Sequence, residues 1–227
     1  MDSSGGAQQV GMEFNMTVLK EPRGFLRFLQ LIFSIFAFAT TSGFGTHFSF
    51  ALKDCNATVD QEYSYPFRIN QIYVTNCEGR VHRLIGDFSS QSQYFVASGV
   101  LAFLYCLASL AVYLLYDRLY RGNQLVPMID FGFTLLMAVF WLTSSAAWSQ
   151  GVADLKYFAN PEIFFKWCNN YITDGCVYDV FPGSFSTVNV SLIFGYLNFA
   201  LWAANLWFLF KETPWFLSRT EKPAENR

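Results

Sequence analysis

Hydrophobic positions along this chain gather into four long runs, roughly residues 25–45, 94–116, 128–148 and 188–210, whose interiors carry almost no charge. Between and beyond the runs the sequence is polar. About 20 consecutive apolar residues in a helix are enough to cross the hydrocarbon core of a bilayer, and each run is about that long. The pattern predicts an all-α integral membrane protein with four transmembrane helices. An even number of crossings returns the N-terminal segment 1–24 and the C-terminal tail 211–227 to one side. Segments 46–93 and 149–187 then share the other side, and only a short turn joins helices 2 and 3.

Sulfur chemistry gives the same topology by a separate route. Cys55 and Cys77 lie in the first far-side loop, Cys168 and Cys176 in the second. Disulfides form in oxidising compartments, which places those loops in the lumen of the secretory pathway. Four cysteines allow three pairings. Local pairing, 55 with 77 and 168 with 176, is expected because each staple then constrains one loop. Cys106, in the middle of helix 2, reads as a small apolar filler.

Basic residues set the orientation. Lys20, Arg23 and Arg27 precede or open helix 1, Arg118 and Arg121 occupy the 2–3 turn, and Lys211 closes helix 4. On the other side Lys53, Arg68, Arg80, Arg83, Lys156 and Lys166 are spread over far more chain. The bias puts both termini in the cytosol. No short apolar stretch with a small-residue cleavage site precedes helix 1, which is expected to act as an uncleaved signal anchor. The charged fraction is 14%, low beside the roughly 25% of soluble domains. A net charge of −2 speaks against nucleic acid as a partner.

The first lumenal loop alternates polar and apolar over His47–Leu52 and Tyr63–Ile69, which predicts short antiparallel strands, one bent or edged by Pro66. Asn56-Ala57-Thr58 is an N-glycosylation acceptor on the side that meets the glycosylation machinery. Asn15-Met16-Thr17 fits the same triplet but is cytosolic in this topology, and Asn189-Val190-Ser191 lies at the membrane edge. Asn56 is therefore the expected site.

Within the helices, Ala39 and Gly43, and Ser98 and Ala102, stand four apart on one face, a spacing that lets helix backbones approach. Asn198 and Asn205 are seven apart on helix 4 and are expected to bond across helices, inside a bundle or between subunits. Asp130, near the start of helix 3, has two readings: a proton or ion relay, or a boundary acid within reach of Arg118 or Arg121. The second is the expectation. His47 and His82, the two histidines, are expected to be surface residues rather than sensors of lumenal pH. No phosphate-binding glycine loop with Lys, no HExxH and no GxSxG occurs, so no catalytic, cofactor or metal site is expected.

Particular segments resemble the synaptophysin family. These are KEPRGFLRFLQ and IFAFAT in helix 1, YPFR and GDFSS in loop 1, and AFLYCLASL in helix 2. PMIDF and WLTSSAAWSQGVADLK in helix 3 belong to the same set, as does NVSLIFGYLNFALWAANLWFLFKETPW through helix 4. The resemblance runs from about Leu19 to Trp215, in the same order. It implies a four-helix MARVEL-type bundle in a glycoprotein of synaptic or related transport vesicles, with disulfide-closed intravesicular loops. Implied partners are a second copy of the chain, cholesterol, the v-SNARE synaptobrevin and the vesicular proton pump. The family cysteines fall on Cys55, Cys77, Cys168 and Cys176, and its glycan acceptor on Asn56. Neuronal members carry a long Gly/Tyr-rich tail; here LSRTEKPAENR follows KETPWF, which is expected either of a synaptophysin-like member of the pantophysin or mitsugumin type with a short tail or of a shortened chain.

The leading expectation is thus a non-enzymatic vesicle membrane organiser. A channel or transporter would need Asp130, Asn198 and Asn205 along a wet path, without the discontinuous helices such proteins usually show. A claudin-like adhesion tetraspan would explain the stranded first loop. Against a tetraspanin, the Cys-Cys-Gly motif is missing and the longer loop comes first.

Overall fold

The computed structural model describes residues 16–52, 56–75, 79, 81–116, 120, 125–160, 177–213 and 216. Among the described residues four helices are long and apolar enough to span a bilayer. They are α1 (Pro22–Ser42), α2 (Ser89–Leu115), α3 (Leu125–Phe158) and α4 (Ser186–Glu212). The described residues also form short strands β1 (Gly45–Leu52), β2 (Ala57–Ser64), β3 (Tyr73–Thr75), β4 (Val81–Arg83) and β5 (Val177–Phe181).

Helix starts are written locally. Pro22 takes the first position of α1, where its missing N–H costs nothing. Ahead of it, a 3-10 turn over Met16–Lys20 folds back so tightly that a Cβ on Gly24 would run into the Val18 carbonyl oxygen. At α2 the Asp87 carboxylate accepts from the Ser89 N–H (3.0 Å) and the Ser89 hydroxyl (2.6 Å), which holds it below its usual pKa. This fixes the start of α2 upstream of the apolar run, since a capping acid defines a helix end that hydropathy cannot. Helix α3 likewise continues past Trp148 to Phe158. Val152, Leu155 and Ala159 are buried at helical spacing there, so packing carries the helix on where the apolar run has ended.

The chain divides into two units. The first holds residues 1–33, 101–140 and 197–227, and the second 34–100 and 141–196. In the second unit, β1 is the centre of an antiparallel sheet of order β2-β1-β5. Gly45 pairs with Ser64 and Leu52 with Ala57 across the β1–β2 hairpin, and Ser49 pairs with Phe181 on the other edge. The alternation in His47–Leu52 was legible. Its partner β5 comes from the second loop, so the two loops share one sheet. Strand β2 stops at Ser64, before Pro66, and β3 and β4 form a separate antiparallel pair.

Aromatic side chains fill this unit. Phe67 lies 5.1 Å from Trp148, and Phe95 meets Trp141 edge-on at 5.7 Å, while Phe48, Phe50 and Tyr63 are buried behind the sheet. Burial pushes the Tyr63 phenol above the usual tyrosine pKa. Trp148 Nε1 donates to the Ser191 hydroxyl at 3.0 Å. A Cβ on Gly195 would come within 2.6 Å of both the Phe95 ring and Ser145 Oγ, so α4 packs too tightly there for any side chain.

Candidate functional site: a buried ion pair in the first unit

Helix α1 turns its polar residues inward. Arg23, Arg27, Gln30, Ser34, Ala37 and Thr41, spaced three or four apart, are its buried stripe, whereas Phe25, Phe28, Ile35 and Phe36 point outward. That is the reverse of a soluble amphipathic helix, and it suits a helix whose surroundings are hydrocarbon.

At the centre of the first unit the Arg27 guanidinium is fully buried and meets Asp130 of α3. Arg27 Nη2 lies 2.7 Å from Asp130 Oδ1 and donates to Thr134 Oγ1 at 2.9 Å, while Nη1 donates to Gln30 Oε1 at 3.1 Å. Gln30 in turn donates to the Leu201 carbonyl of α4 at 3.1 Å. Helix α2 supplies two tyrosines: Tyr105 donates to Asp130 Oδ1 at 2.5 Å, and Tyr113 donates to Oδ2. Tyr120 reaches Oδ2 at 3.4 Å, and Thr134 reaches Oδ1 at 3.4 Å. The faces of Tyr105 and Trp202 each lie 5.0 Å from the Arg27 guanidinium carbon. Arg23, paired with Glu21 at 2.9 Å, lies over Tyr113 and Tyr120 at 5.4 and 4.6 Å.

All four helices therefore converge on one charge pair. In a low-dielectric interior, desolvating two ions is repaid only when their remaining hydrogen-bonding positions are filled. That holds on the Asp130 side, where Arg27, Tyr105, Tyr113, Tyr120 and Thr134 all donate to the carboxylate, whereas Arg27 Nε is buried with no hydrogen-bond partner among the described residues. Such a group orients helices. It offers no vacant acceptor for a substrate.

A family model described as MARVEL, membrane-associating domain, matches residues 18–208. The chain belongs to the MARVEL family. The match opens at Val18, which is buried beside Tyr113 and Tyr120, and closes within α4, so it takes in the whole ion-pair cluster. With its four spans, this MARVEL chain is a multi-pass membrane protein.

The partner of Asp130 is the clearest departure from expectation. Arg118 and Arg121 lie outside the described residues; the bond is made by Arg27, whose charge had read only as a topology marker. The signal was present in the Arg23, Arg27, Gln30, Ser34, Ala37, Thr41 spacing, which puts two cations on one face of a membrane helix. Tyr105, Tyr113, Thr134 and Trp202 carried no comparable signal, since aromatic and Thr residues are ordinary in membrane helices.

Asn198 and Asn205 are both fully buried on the α4 stripe that also carries Ser191, Trp202 and Leu209. Neither amide atom of Asn205 has a hydrogen-bond partner among the described residues. Ser98 and Ala102 are buried, and Ser98 donates to its own helix at the Tyr94 carbonyl, 2.9 Å away. Ala39 and Gly43 face outward. The close approach of α1 and α2 occurs at Gly99 instead, where a Cβ would stand 2.9 Å from Phe38 Cβ.

Asn56 is exposed at the β1–β2 turn with a φ of 51°, a conformation Asn tolerates better than most residues. Cys55, Cys77, Cys168 and Cys176 lie outside the described residues, and Cys106 is a buried free thiol. His47 is exposed, opposite Glu62 across the hairpin. Among the described residues no group of three or more His, Cys, Asp or Glu could hold a metal ion.

Proposed function

We propose that the protein is a non-enzymatic organiser of transport-vesicle membranes, of the synaptic or a related secretory type. The observation that carries this reading is the inverted sidedness of α1 within a MARVEL chain: polar groups are spent on internal cohesion, and the outer surface is left to lipid and to other membrane helices. In this reading both termini are cytosolic, the sheet is lumenal, and Asn56 carries a glycan at an exposed turn. Paired lumenal cysteines close the loops. The outward-facing Ala39 and Gly43 let a helix of a second copy approach closely, which supports self-association. Cholesterol and the v-SNARE synaptobrevin follow from the resemblance of the motifs, and the vesicular proton pump is a further implied partner. A channel gains no support from Asp130, whose carboxylate is already occupied by donors from its own chain.

The test is fractionation of tagged protein, followed by crosslinking within isolated membranes. Co-migration with small vesicles, a crosslinked ladder of the chain with itself, and an adduct with synaptobrevin are the expected results. Residence at the cell surface, with no vesicle pool, would remove the organiser reading in favour of an adhesion protein. A band that glycosidase does not shift, from secretory-competent cells, would remove the assigned topology.

A further inference from the structure

On the outer side of the ion pair, α2 and α3 leave an open crevice of about 180 Å³. Ala108 and Ser109 give it depth, because their short side chains lie between the larger Tyr105 and Val112 on the same helix. Ile129 and Phe133 of α3 form the opposite wall, and both are exposed, at 59% and 47%. Behind this apolar lining stand Tyr113 and Asp130, with the hydroxyls of Tyr105 and Tyr113 turned inward onto the carboxylate.

Leu101, Leu104 and Leu107 of α2 and Leu136 and Val139 of α3 are exposed as well, so both helices that wall the crevice present apolar side chains outward along membrane-spanning segments. The crevice walls extend from Tyr105 to Tyr113, about 12 Å along a helix at the usual rise per residue. A narrow apolar groove of that length, open along one side, suits one extended hydrocarbon chain. Left unfilled, it would let water approach an ion pair whose attraction depends on a low local dielectric.

We propose that this crevice binds one acyl chain of a membrane phospholipid, and that the bound chain seals the Arg27–Asp130 pair from water. The lipid is thus a structural part of the first unit. A chain here replaces solvent over the tyrosine rings and makes dispersion contacts along Ala108, Val112 and Phe133.

The full-length protein, reconstituted in phosphatidylcholine vesicles that contain a trace of phosphatidylcholine with a mid-chain diazirine, tests this by photolabelling and peptide mapping. Labelling concentrated on residues 105–113 and 126–133 is expected. It should fall about tenfold when Ala108→Phe fills the groove from α2, and similarly when Ile129→Trp fills it from α3. Leu136→Phe, outside the groove, should leave it unchanged. In detergent, added phosphatidylcholine should raise the unfolding temperature of the parent protein and of Leu136→Phe, while both groove-filling variants should lack that increment. Labelling spread evenly over the exposed faces of all four helices, and insensitive to both groove-filling variants, overturns the proposal. So does competition of the label by cholesterol rather than by phosphatidylcholine, or a lipid-dependent increment that both filled variants retain.

Discussion

The two units of this chain solve one packing problem with opposite materials. In the second, the interior is aromatic: Phe48, Phe50, Phe67, Phe95, Trp141 and Trp148 are all buried, and Trp148 donates to Ser191 among the rings. In the first, the interior is a charge pair ringed by phenols, with Arg23, Arg27, Gln30, Asp130, Thr134 and Asn205 buried. Ring packing is tolerant, since dispersion falls off gradually and many contacts share the load. A buried ion pair is unforgiving, because either charge alone is far worse than both or neither. The aromatic unit should therefore degrade by increments, and the charged unit by failure of single residues.

The sharpest test breaks one charge at a time. Arg27→Met or Asp130→Leu alone should each destabilise the protein by about 3–5 kcal/mol. The double variant should cost much less than either. Denaturation in mixed micelles, read by tryptophan fluorescence, gives the comparison; equal losses for the double and the singles would mean that the charges act independently.

Removal of a single donor is the next step down. Tyr113→Phe keeps the ring over which Arg23 lies but takes a hydrogen bond from an ionised group, an expected loss of about 1.5–3 kcal/mol. The matching change in the aromatic unit is Gly195→Ala, which forces a methyl group against Phe95 and Ser145. Overpacking of that kind costs about 1–3 kcal/mol. Both variants can be followed by the same denaturation curve. If Gly195→Ala proves neutral, the aromatic unit is looser than its ring contacts imply.

The smallest effect has the opposite sign. Asn205 carries a fully buried carboxamide whose atoms meet no hydrogen-bond partner among the described residues, so Asn205→Leu, close in size and apolar, should stabilise by about 1 kcal/mol. A destabilised variant would show that the amide is satisfied in the membrane, for instance by bound water.

How far the sequence could be read depended on whether the signal was local. The four spans were legible because a run of apolar residues needs no partner to reveal itself. The β1 strand was legible from its alternation. The start of α2 and the end of α3 were displaced from the hydropathy limits, since an Asp87 cap and burial of Val152 and Leu155 set them. Ser98 and Ala102 do face inward. Ala39 and Gly43, equally small and equally spaced, face outward, and no spacing rule distinguishes the two pairs.

By itself, the order of apolar and polar residues determined that this chain spans a membrane four times and carries a small stranded segment between its first two helices. That follows from solvation, which acts on each segment separately. Only the tertiary structure decided that Arg27 belongs to Asp130, that β5 completes the sheet of the other loop, and which helix faces point inward. Those outcomes join residues on different segments of the chain, where the energy resides in a shared, water-free contact that neither sequence neighbourhood encodes alone.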